Sequence, residues 1–157
     1  MKKVLLVGEL SEIAKCHEIF RAKDGNGMEY KTADKQRQKK KIMLVDDSAL
    51  LLRSMKSMLK KKYDICLAKS GEQALKLIPR EKPDLILLDY EMDGMDGKST
   101  FEAMKKDEDM RWIPVVFLTS IADRKTIYDV LKTKPNGYIL KPPDENKIYE
   151  VLQEILG

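Results

Sequence analysis

Acidic, hydroxyl and basic side chains follow the ends of several short aliphatic runs in this 157-residue chain. In chain order, these residues are Asp46, Asp47, Asp89, Thr119 and Lys141. In an open parallel sheet, the carboxyl ends of the strands line the crevice in which ligands bind. If the aliphatic runs are strands of one such sheet, the five polar residues meet at one edge. The spacing therefore predicts a polar site built from carboxylates, a hydroxyl and an amine.

Three of these side chains, those of Asp46, Asp47 and Asp89, are carboxylates. Two unit charges at 4 Å repel by about 4 kcal/mol at an effective dielectric of 20, so the cluster needs a cation. A site made only of oxygen ligands, with room for water and for phosphate oxygens, suits Mg²⁺. We therefore expect Mg²⁺ to bind these three residues.

The remaining two residues, Thr119 and Lys141, suit an anion attached to one of the carboxylates. Lys141 supplies a positive point charge and Thr119 a hydrogen-bond donor. A carboxylate such as that of Asp89 can act as a nucleophile and form an acyl phosphate. A metal and an ammonium group would then neutralise charge on the transferred phosphoryl group. No pair of the Ser-His type competes with this interpretation, because His17 is the only histidine.

The elements that must position these residues alternate regularly from residue 41 onward. Strands are predicted at 41–45, 63–68, 85–88, 114–118 and 138–140. Helices are predicted at 48–61, 71–78, 98–106, 122–132 and 144–156, with Pro79 expected to close the second of them. Strict alternation is typical of a parallel sheet covered by helices on both faces. The fold class that we predict is α/β, a doubly wound, five-stranded, flavodoxin-like sheet.

An N-terminal extension precedes this domain. Residues 1–34 predict a strand-helix-strand unit, residues 35–40 a basic linker, and residues 41–157 the main domain. The net charge of +4 falls on the first 40 residues, and residues 41–157 are neutral. A short basic run of this kind is more often a solvated linker than a nucleic-acid contact. We expect no direct nucleic-acid binding.

Composition argues for a cytoplasmic protein. No apolar run approaches the roughly 20 residues of a membrane span, so no membrane partner is expected. The run at the N-terminus is broken by Glu9 and Glu12, too early for a secretory signal. Cys16 and Cys66 are isolated, which favours reduced thiols.

Residues 41–157 resemble a response-regulator receiver domain of two-component signalling. The matching segments are IMLVDDS at 42–48, DLILLDYEM at 84–92, GMDG at 94–97, Thr119, and YILKP at 138–142. Each segment alone is weak, but all occur in order and at the ends of predicted strands. Residues 1–34 resemble part of a degenerate second receiver, with Gly8-Glu9 where the main domain has Asp46-Asp47.

The resemblance implies a role for each matching residue. Asp89 would accept a phosphoryl group from a histidine kinase or a phosphotransfer protein. Asp47 and Asp89 would ligate Mg²⁺ directly, the Glu91 backbone carbonyl would be a further ligand, and Asp46 would act through water. Thr119 would bind the acyl phosphate. We expect the Glu91 side chain itself to be solvated.

The same resemblance implies how the signal leaves the site. Lys141 would bind the acyl phosphate together with the hydroxyl, and Tyr138 would be the aromatic residue that moves inward behind that hydroxyl. The switching surface would comprise the helix at 122–132, the strand at 138–140 and the helix at 144–156. A downstream protein would bind there, and a homodimer could form through this face or through the N-terminal segment. In the family, the position two residues after the hydroxyl residue influences how long the phosphoryl group persists. Ile121 stands there, and because an aliphatic side chain cannot orient an attacking water and can shield the phosphate, we expect a phosphoryl lifetime longer than minutes.

Three alternatives divide the possible functions. The leading one is a receiver with no enzymatic output, since the last predicted helix finishes at Gly157. A Mg²⁺-dependent aspartyl-phosphate phosphatase or phosphotransferase is the second, but it needs a general acid two residues after Asp89, where Glu91 is an imperfect substitute. The third is a receiver fragment of a larger multi-domain or domain-swapped regulator.

Overall fold

Residues 39–157 are the part of the chain that the computed structural model describes, and they form strands and helices in strict alternation. The strands are β1 (Lys41–Val45), β2 (Asp64–Ala68), β3 (Leu85–Asp89), β4 (Val115–Thr119) and β5 (Gly137–Leu140). The helices are α1 (Ala49–Leu59), α2 (Gly71–Glu81), α3 (Gly97–Lys106), α4 (Arg124–Lys132) and α5 (Glu145–Leu156). The predicted fold class is confirmed.

The strands form one parallel sheet in the order β2-β1-β3-β4-β5. This is the flavodoxin-like order, with its change of winding direction at β1 and β3. Every residue of β3 and β4 is buried, as expected for central strands covered on both faces. The edge strands β2 and β5 contain fewer buried residues, which agrees with their mixture of polar and apolar residues.

Alternate side chains of the strands enter two cores. Met43, Val45, Ile86 and Leu88 point to the layer that holds α2, α3 and Val130 of α4. The intervening aliphatic residues of β1 and β3 pack with α1 and α5 on the opposite face. Because both faces are sealed by aliphatic contacts, only the ends of the strands are open to polar ligands.

Asx and Ser caps fix where the helices begin. Ser48, Ser70, Asp96, Asp123 and Asp144 each accept a hydrogen bond from a backbone N–H in the first turn of the following helix. Two of the differences between the predicted and the observed helix ends have clear local reasons. The helix expected from residue 122 begins at Arg124, because Asp123 is its cap and accepts from the Thr126 N–H at 3.0 Å.

The prediction that Pro79 closes the second helix is wrong. Pro79 lies inside the last turn of α2, which continues to Glu81. Proline removes its own N–H and crowds the carbonyl four residues earlier, but it leaves the later donors in place, and the Lys82 N–H still donates to the Ile78 carbonyl at 2.8 Å. Lys82 itself has a left-handed backbone, with φ of 49°, and that residue terminates the helix.

The strand-helix-strand unit predicted for residues 1–34, with residues 35–38 of the basic linker, lies outside the described residues. The proposed domain boundaries therefore stay a prediction. Within residues 39–157, none of the helices has the length and apolarity needed to cross a bilayer.

Candidate functional site: an acidic pocket at the carboxyl edge of the sheet

Strand register brings the predicted site residues to one edge of the sheet. Asp46 directly follows β1, and Asp89 is the last residue of β3. Asp89 pairs with Leu118, so that Thr119 at the end of β4 lies one step further along. The Lys141 N–H then donates to the Thr119 carbonyl at 2.8 Å. The pairing of the four neighbouring strands β1, β3, β4 and β5 thus sets the depth at which each side chain enters the site.

Asp46, Asp47 and Asp89 converge as the sequence predicts. One carboxylate oxygen from each residue lies within 4.8 Å of the others. Asp46 and Asp89 are each only 1% exposed, whereas Asp47 is open to solvent. An all-oxygen set with one solvated side suits a hard divalent cation that retains several water ligands, so these residues fit Mg²⁺.

The Lys141 ammonium contacts both buried carboxylates and offsets the repulsion between their negative charges. Its ammonium nitrogen lies 2.9 Å from Asp46 Oδ2 and 3.0 Å from Asp89 Oδ1. Partial burial acts to lower the pKa of Lys141, but its hydrogen bonds to the two acids and their negative charges together raise it. With three carboxylates and one ammonium, the pocket carries two formal negative charges, the amount that one divalent cation neutralises.

The Asp89 carboxylate has a strongly shifted pKa. Desolvation raises its pKa to about 6, and the nearby charge of Asp46 acts in the same direction. Hydrogen bonds from Lys141 and from the Glu91 N–H, at 3.1 Å to Oδ1, oppose the rise. Both of these donors lie against Oδ1. Asp89 is therefore a carboxylate whose ionised form is costly unless further positive charge binds.

Backbone amides position the other two acids. Asp46 Oδ1 accepts a hydrogen bond from the Ser48 N–H at 2.8 Å, and Asp47 Oδ2 accepts one from the Asp93 N–H at 3.2 Å. The second bond joins the β1–α1 loop to the β3–α3 loop. Because each acid is held by a main-chain donor, the cluster is organised by the fold itself rather than by chance proximity of flexible side chains.

Glu91 differs from the prediction that its side chain is solvated. One of its carboxylate oxygens accepts a short hydrogen bond from the Thr119 hydroxyl, and the other accepts from the Ser120 hydroxyl at 2.9 Å. Partial burial opposes ionisation, but these hydrogen bonds lower the pKa of Glu91. The prediction failed because it considered only the sequence around Glu91, whereas the two hydroxyl partners are the last residue of β4 and the residue that follows it. Two features of the sequence could have indicated this contact. They are the acidic residue two positions after Asp89 and the Thr119-Ser120 pair at the end of a predicted strand.

Gly97 allows the chain after β3 to fold back against the site. A Cβ added to Gly97 would lie 2.2 Å from the Asp89 carbonyl oxygen and 2.7 Å from the Tyr90 Cα. The Gly97 N–H also donates to the Tyr90 carbonyl at 3.1 Å. A residue without a side chain is therefore needed where α3 begins, and the GMDG segment at 94–97 ends with it.

Tyr138 is the second residue of β5, and its implied role as a moving aromatic stays a prediction. It pairs with Phe117 across β4 and β5 and is half-buried against the core that contains α2 and α3. On the neighbouring surface, the exposed large apolar residues include Tyr128, Leu131 and Leu140. Val130 is the buried residue of α4, whereas the next residue, Leu131, is 51% exposed. The packed face of α4 is thus narrower than its sequence indicates.

Comparison with known proteins agrees with this geometry. Residues 42–153 match the family model of the response regulator receiver domain. The response regulator protein VraR of Staphylococcus saprophyticus is 36% identical over 117 residues, which cover 73% of this chain and 55% of that protein. The polar-differentiation response regulator DivK of Brucella ovis is 29% identical over 119 residues, covering 75% of this chain and 97% of that one.

A solved structure extends the similarity to three dimensions. The N-terminal domain of a response regulator receiver protein from Methanoculleus marisnigri JR1 is 35% identical, with a TM-score of 0.60, over 74% of this chain and 96% of that domain. Some of the sequence relatives are longer, and the chain spans about half their length. The matched region includes every residue of the acidic pocket and both hydroxyls that contact Glu91. Residues 42–153 therefore place this chain in the response regulator receiver family.

Proposed function

We propose that this chain is a phosphorelay receiver in which Asp89 accepts a phosphoryl group. The observation that carries the proposal is the position of Asp89, buried at the end of β3 between Asp46, Asp47 and the Lys141 ammonium. A carboxylate in that setting has nearby positive charge and a metal-binding oxygen set. Those are the two features that phosphoryl transfer needs most.

The donor would be a phosphohistidine on a histidine kinase or a phosphotransfer protein, the partners that family membership implies. An oxygen of the Asp89 carboxylate attacks the phosphorus, an O–P bond forms, and the N–P bond breaks. The imidazole leaves with the electron pair of that bond and takes up a proton. Bound Mg²⁺, held by Asp46, Asp47, Asp89 and the Glu91 carbonyl, would neutralise charge on the phosphoryl oxygens.

Lys141 and Thr119 would bind the product. Lys141 already contacts Asp89 Oδ1, so that its ammonium is in place to pair with a phosphoryl oxygen on the same carboxylate. Thr119 is buried at the adjacent strand end, and its hydroxyl can donate one hydrogen bond. Movement of that hydroxyl toward the phosphate would leave space for Tyr138 to turn inward, as the family resemblance implies.

The output would be a protein contact rather than a second chemical reaction. The surface of α4 and β5 presents Tyr128, Leu131 and Leu140 to solvent, which suits an apolar partner or a second copy of the chain. Residues 1–34, if they form the expected extension, offer the other predicted route to a homodimer. We assign the receiver function to residues 41–157 and a cytoplasmic location to the protein.

The competing phosphatase hypothesis needs Glu91 as a general acid. The Glu91 carboxylate is instead occupied by Thr119 and Ser120, and its pKa is lowered, so it is a poor proton donor. The geometry therefore favours the receiver over the enzyme.

Incubation with acetyl phosphate and Mg²⁺ tests the proposal. We expect intact-mass analysis to show the addition of one phosphoryl group to the wild-type chain and none to Asp89→Asn. Asp93→Asn, which neutralises an exposed carboxylate of the adjoining loop, is the matched control and should still be modified. Modification of Asp89→Asn, or steady release of phosphate from many small phosphoesters, would refute the receiver assignment.

A further inference from the structure

The Glu91 carboxylate forms a fork across the end of β4. Its Oε1 accepts from the Thr119 hydroxyl, and its Oε2 accepts from the Ser120 hydroxyl at 2.9 Å. The Ser120 N–H also points to Oε2, at 3.4 Å. Hydrogen bonds to an ionised acceptor are about twice as strong as neutral ones. Two consecutive residues of the β4–α4 junction are thus tied to the loop that follows Asp89.

The fork uses the only proton that Thr119 can donate. A threonine hydroxyl has one O–H donor and two acceptor lone pairs. Thr119 donates to Glu91, and one of its lone pairs accepts from the Ile121 N–H at 3.2 Å. While this arrangement persists, the hydroxyl cannot donate to a phosphoryl oxygen on Asp89. Phosphate binding by Thr119 must therefore break its hydrogen bond to Glu91.

The same bonds connect the hydroxyl to the switching surface. Ile121 is held to the Thr119 side chain through its N–H, and Asp123, two residues later, caps α4. Movement of Thr119 toward Asp89 would therefore displace the adjoining Ser120 relative to Glu91 Oε2 and change the hydrogen bond that holds Ile121. The segment whose position is altered is the one that leads directly into α4.

We propose that Glu91 is an intramolecular latch, a carboxylate that engages the Thr119 hydroxyl and Ser120 until a phosphoryl group on Asp89 displaces it. The inference rests on the proposed phosphorylation of Asp89 and adds a competitor for the same hydroxyl. Glu91 thereby has two separate parts in the site. Its backbone carbonyl would contribute to the metal site, and its side chain would stabilise the unphosphorylated arrangement. Substitution of the side chain leaves the carbonyl in place.

Beryllofluoride, a phosphoryl mimic that binds carboxylates together with Mg²⁺, measures the competition at equilibrium. We expect Glu91→Ala to lower the Kd for beryllofluoride about tenfold, since one charge-assisted hydrogen bond no longer has to be broken. Glu91→Gln, which keeps a neutral acceptor, should fall between Glu91→Ala and wild type. Ser120→Ala removes one anchor without altering Glu91 and should shift the Kd in the same direction by a smaller factor. Calorimetric titration of the full chain in saturating Mg²⁺ supplies these constants.

Two controls separate a latch from a general effect of charge. Asp93→Asn removes one exposed negative charge from the same loop but keeps the backbone N–H that donates to Asp47, so the Kd should stay within about twofold of wild type, since no hydroxyl is released. In a Thr119→Ala background, the gain from Glu91→Ala should disappear, because there is no hydroxyl left to release. A gain that persists without Thr119 would show that Glu91 acts by repulsion and would overturn the latch.

The remaining outcomes also decide the question. Equal beryllofluoride affinities in wild type and Glu91→Ala would refute the latch while leaving phosphorylation of Asp89 intact. Failure of the wild-type chain to bind beryllofluoride at all would refute the proposed function, and the latch with it. A weaker affinity in Glu91→Ala would show that the carboxylate assists phosphoryl binding, which is the opposite of the proposal.

Discussion

Replacing Lys141 by methionine tests whether one ammonium group keeps the acidic pocket together. Lys141 Nζ lies 2.9 Å from Asp46 Oδ2 and 3.0 Å from Asp89 Oδ1, and both carboxyl side chains are only 2% exposed. Methionine keeps most of the length of the aliphatic stem and removes the charge. The variant therefore leaves three neighbouring carboxylates with no cation among them.

The expected cost follows from these distances and burials. Near 3 Å, each pair is worth about 5 kcal/mol at an effective dielectric of 20, before the loss of hydration is subtracted. Breaking a buried ion pair by removing one partner typically costs about 3–5 kcal/mol. The Lys141 side chain is 18% exposed, and Asp89 can take up a proton, because burial already raises its pKa to about 6. We therefore expect Lys141→Met to lose about 2–4 kcal/mol of unfolding free energy at neutral pH without divalent cations.

Urea unfolding in a chelating buffer measures this loss. Lys147→Met is the matched control, since Lys147 is exposed and lies 3.8 Å from Glu150, a surface pair worth less than about 1 kcal/mol. Added Mg²⁺ should recover more stability in Lys141→Met than in wild type, because it supplies the missing positive charge. The double variant Asp89→Asn/Lys141→Met should lose less unfolding free energy than Lys141→Met alone, because one of the carboxylates left without a cation is also removed. If Lys141→Met is no less stable than Lys147→Met, the ammonium does not hold the carboxylates and the reasoning fails.

Three further predictions concern single positions. Because burial raises the pKa of Asp89 to about 6, its ionised form destabilises the metal-free fold, so Asp89→Asn should be more stable than wild type above pH 6. That gain in stability should shrink as the pH falls through 6 and vanish below about pH 4. Urea unfolding in a chelating buffer measures it, and a gain that does not depend on pH would contradict the prediction. Gly97→Ala should lose about 1–3 kcal/mol in the same assay, since its Cβ meets the Asp89 backbone at 2.2 Å, whereas Gly137→Ala, whose nearest neighbour would be at 3.6 Å, should lose less. The acyl phosphate should persist beyond minutes and decay faster in Ile121→Ala, and a rapid decay unchanged by that substitution would exclude shielding by Ile121.

Local features of the sequence were enough to predict most of the fold. Aliphatic runs bounded by polar residues mark strands, and Ser48 and Asp144 are helix caps that act on their own first turns. Both signals depend on neighbours within a few residues, so they can be read without the tertiary structure. The failure at Pro79 has a similar local origin, because a proline signals a missing N–H but not whether the rest of the turn still closes.

The sequence also predicted which residue types would meet in the pocket. Parallel strands present their carboxyl ends at one edge, so Asp46, Asp89 and Lys141 had to approach each other once the topology was right. Their chemistry followed from charge alone, since converging carboxylates require a cation. For these residues the tertiary structure added distances and burial to an arrangement that the pattern had already predicted.

Only the tertiary structure decided the contacts of Glu91. Its partners, Thr119 and Ser120, lie 28 and 29 residues away in sequence, and they meet it because β3 and β4 pair in one register. A shift of that register would direct different side chains toward the loop and leave Glu91 solvated, as its local sequence suggests. Residue types and spacing therefore determined the components of the site. Long-range strand pairing determined which hydroxyl each carboxylate could reach, because hydrogen bonds act over a few ångströms and no local pattern encodes such a distance.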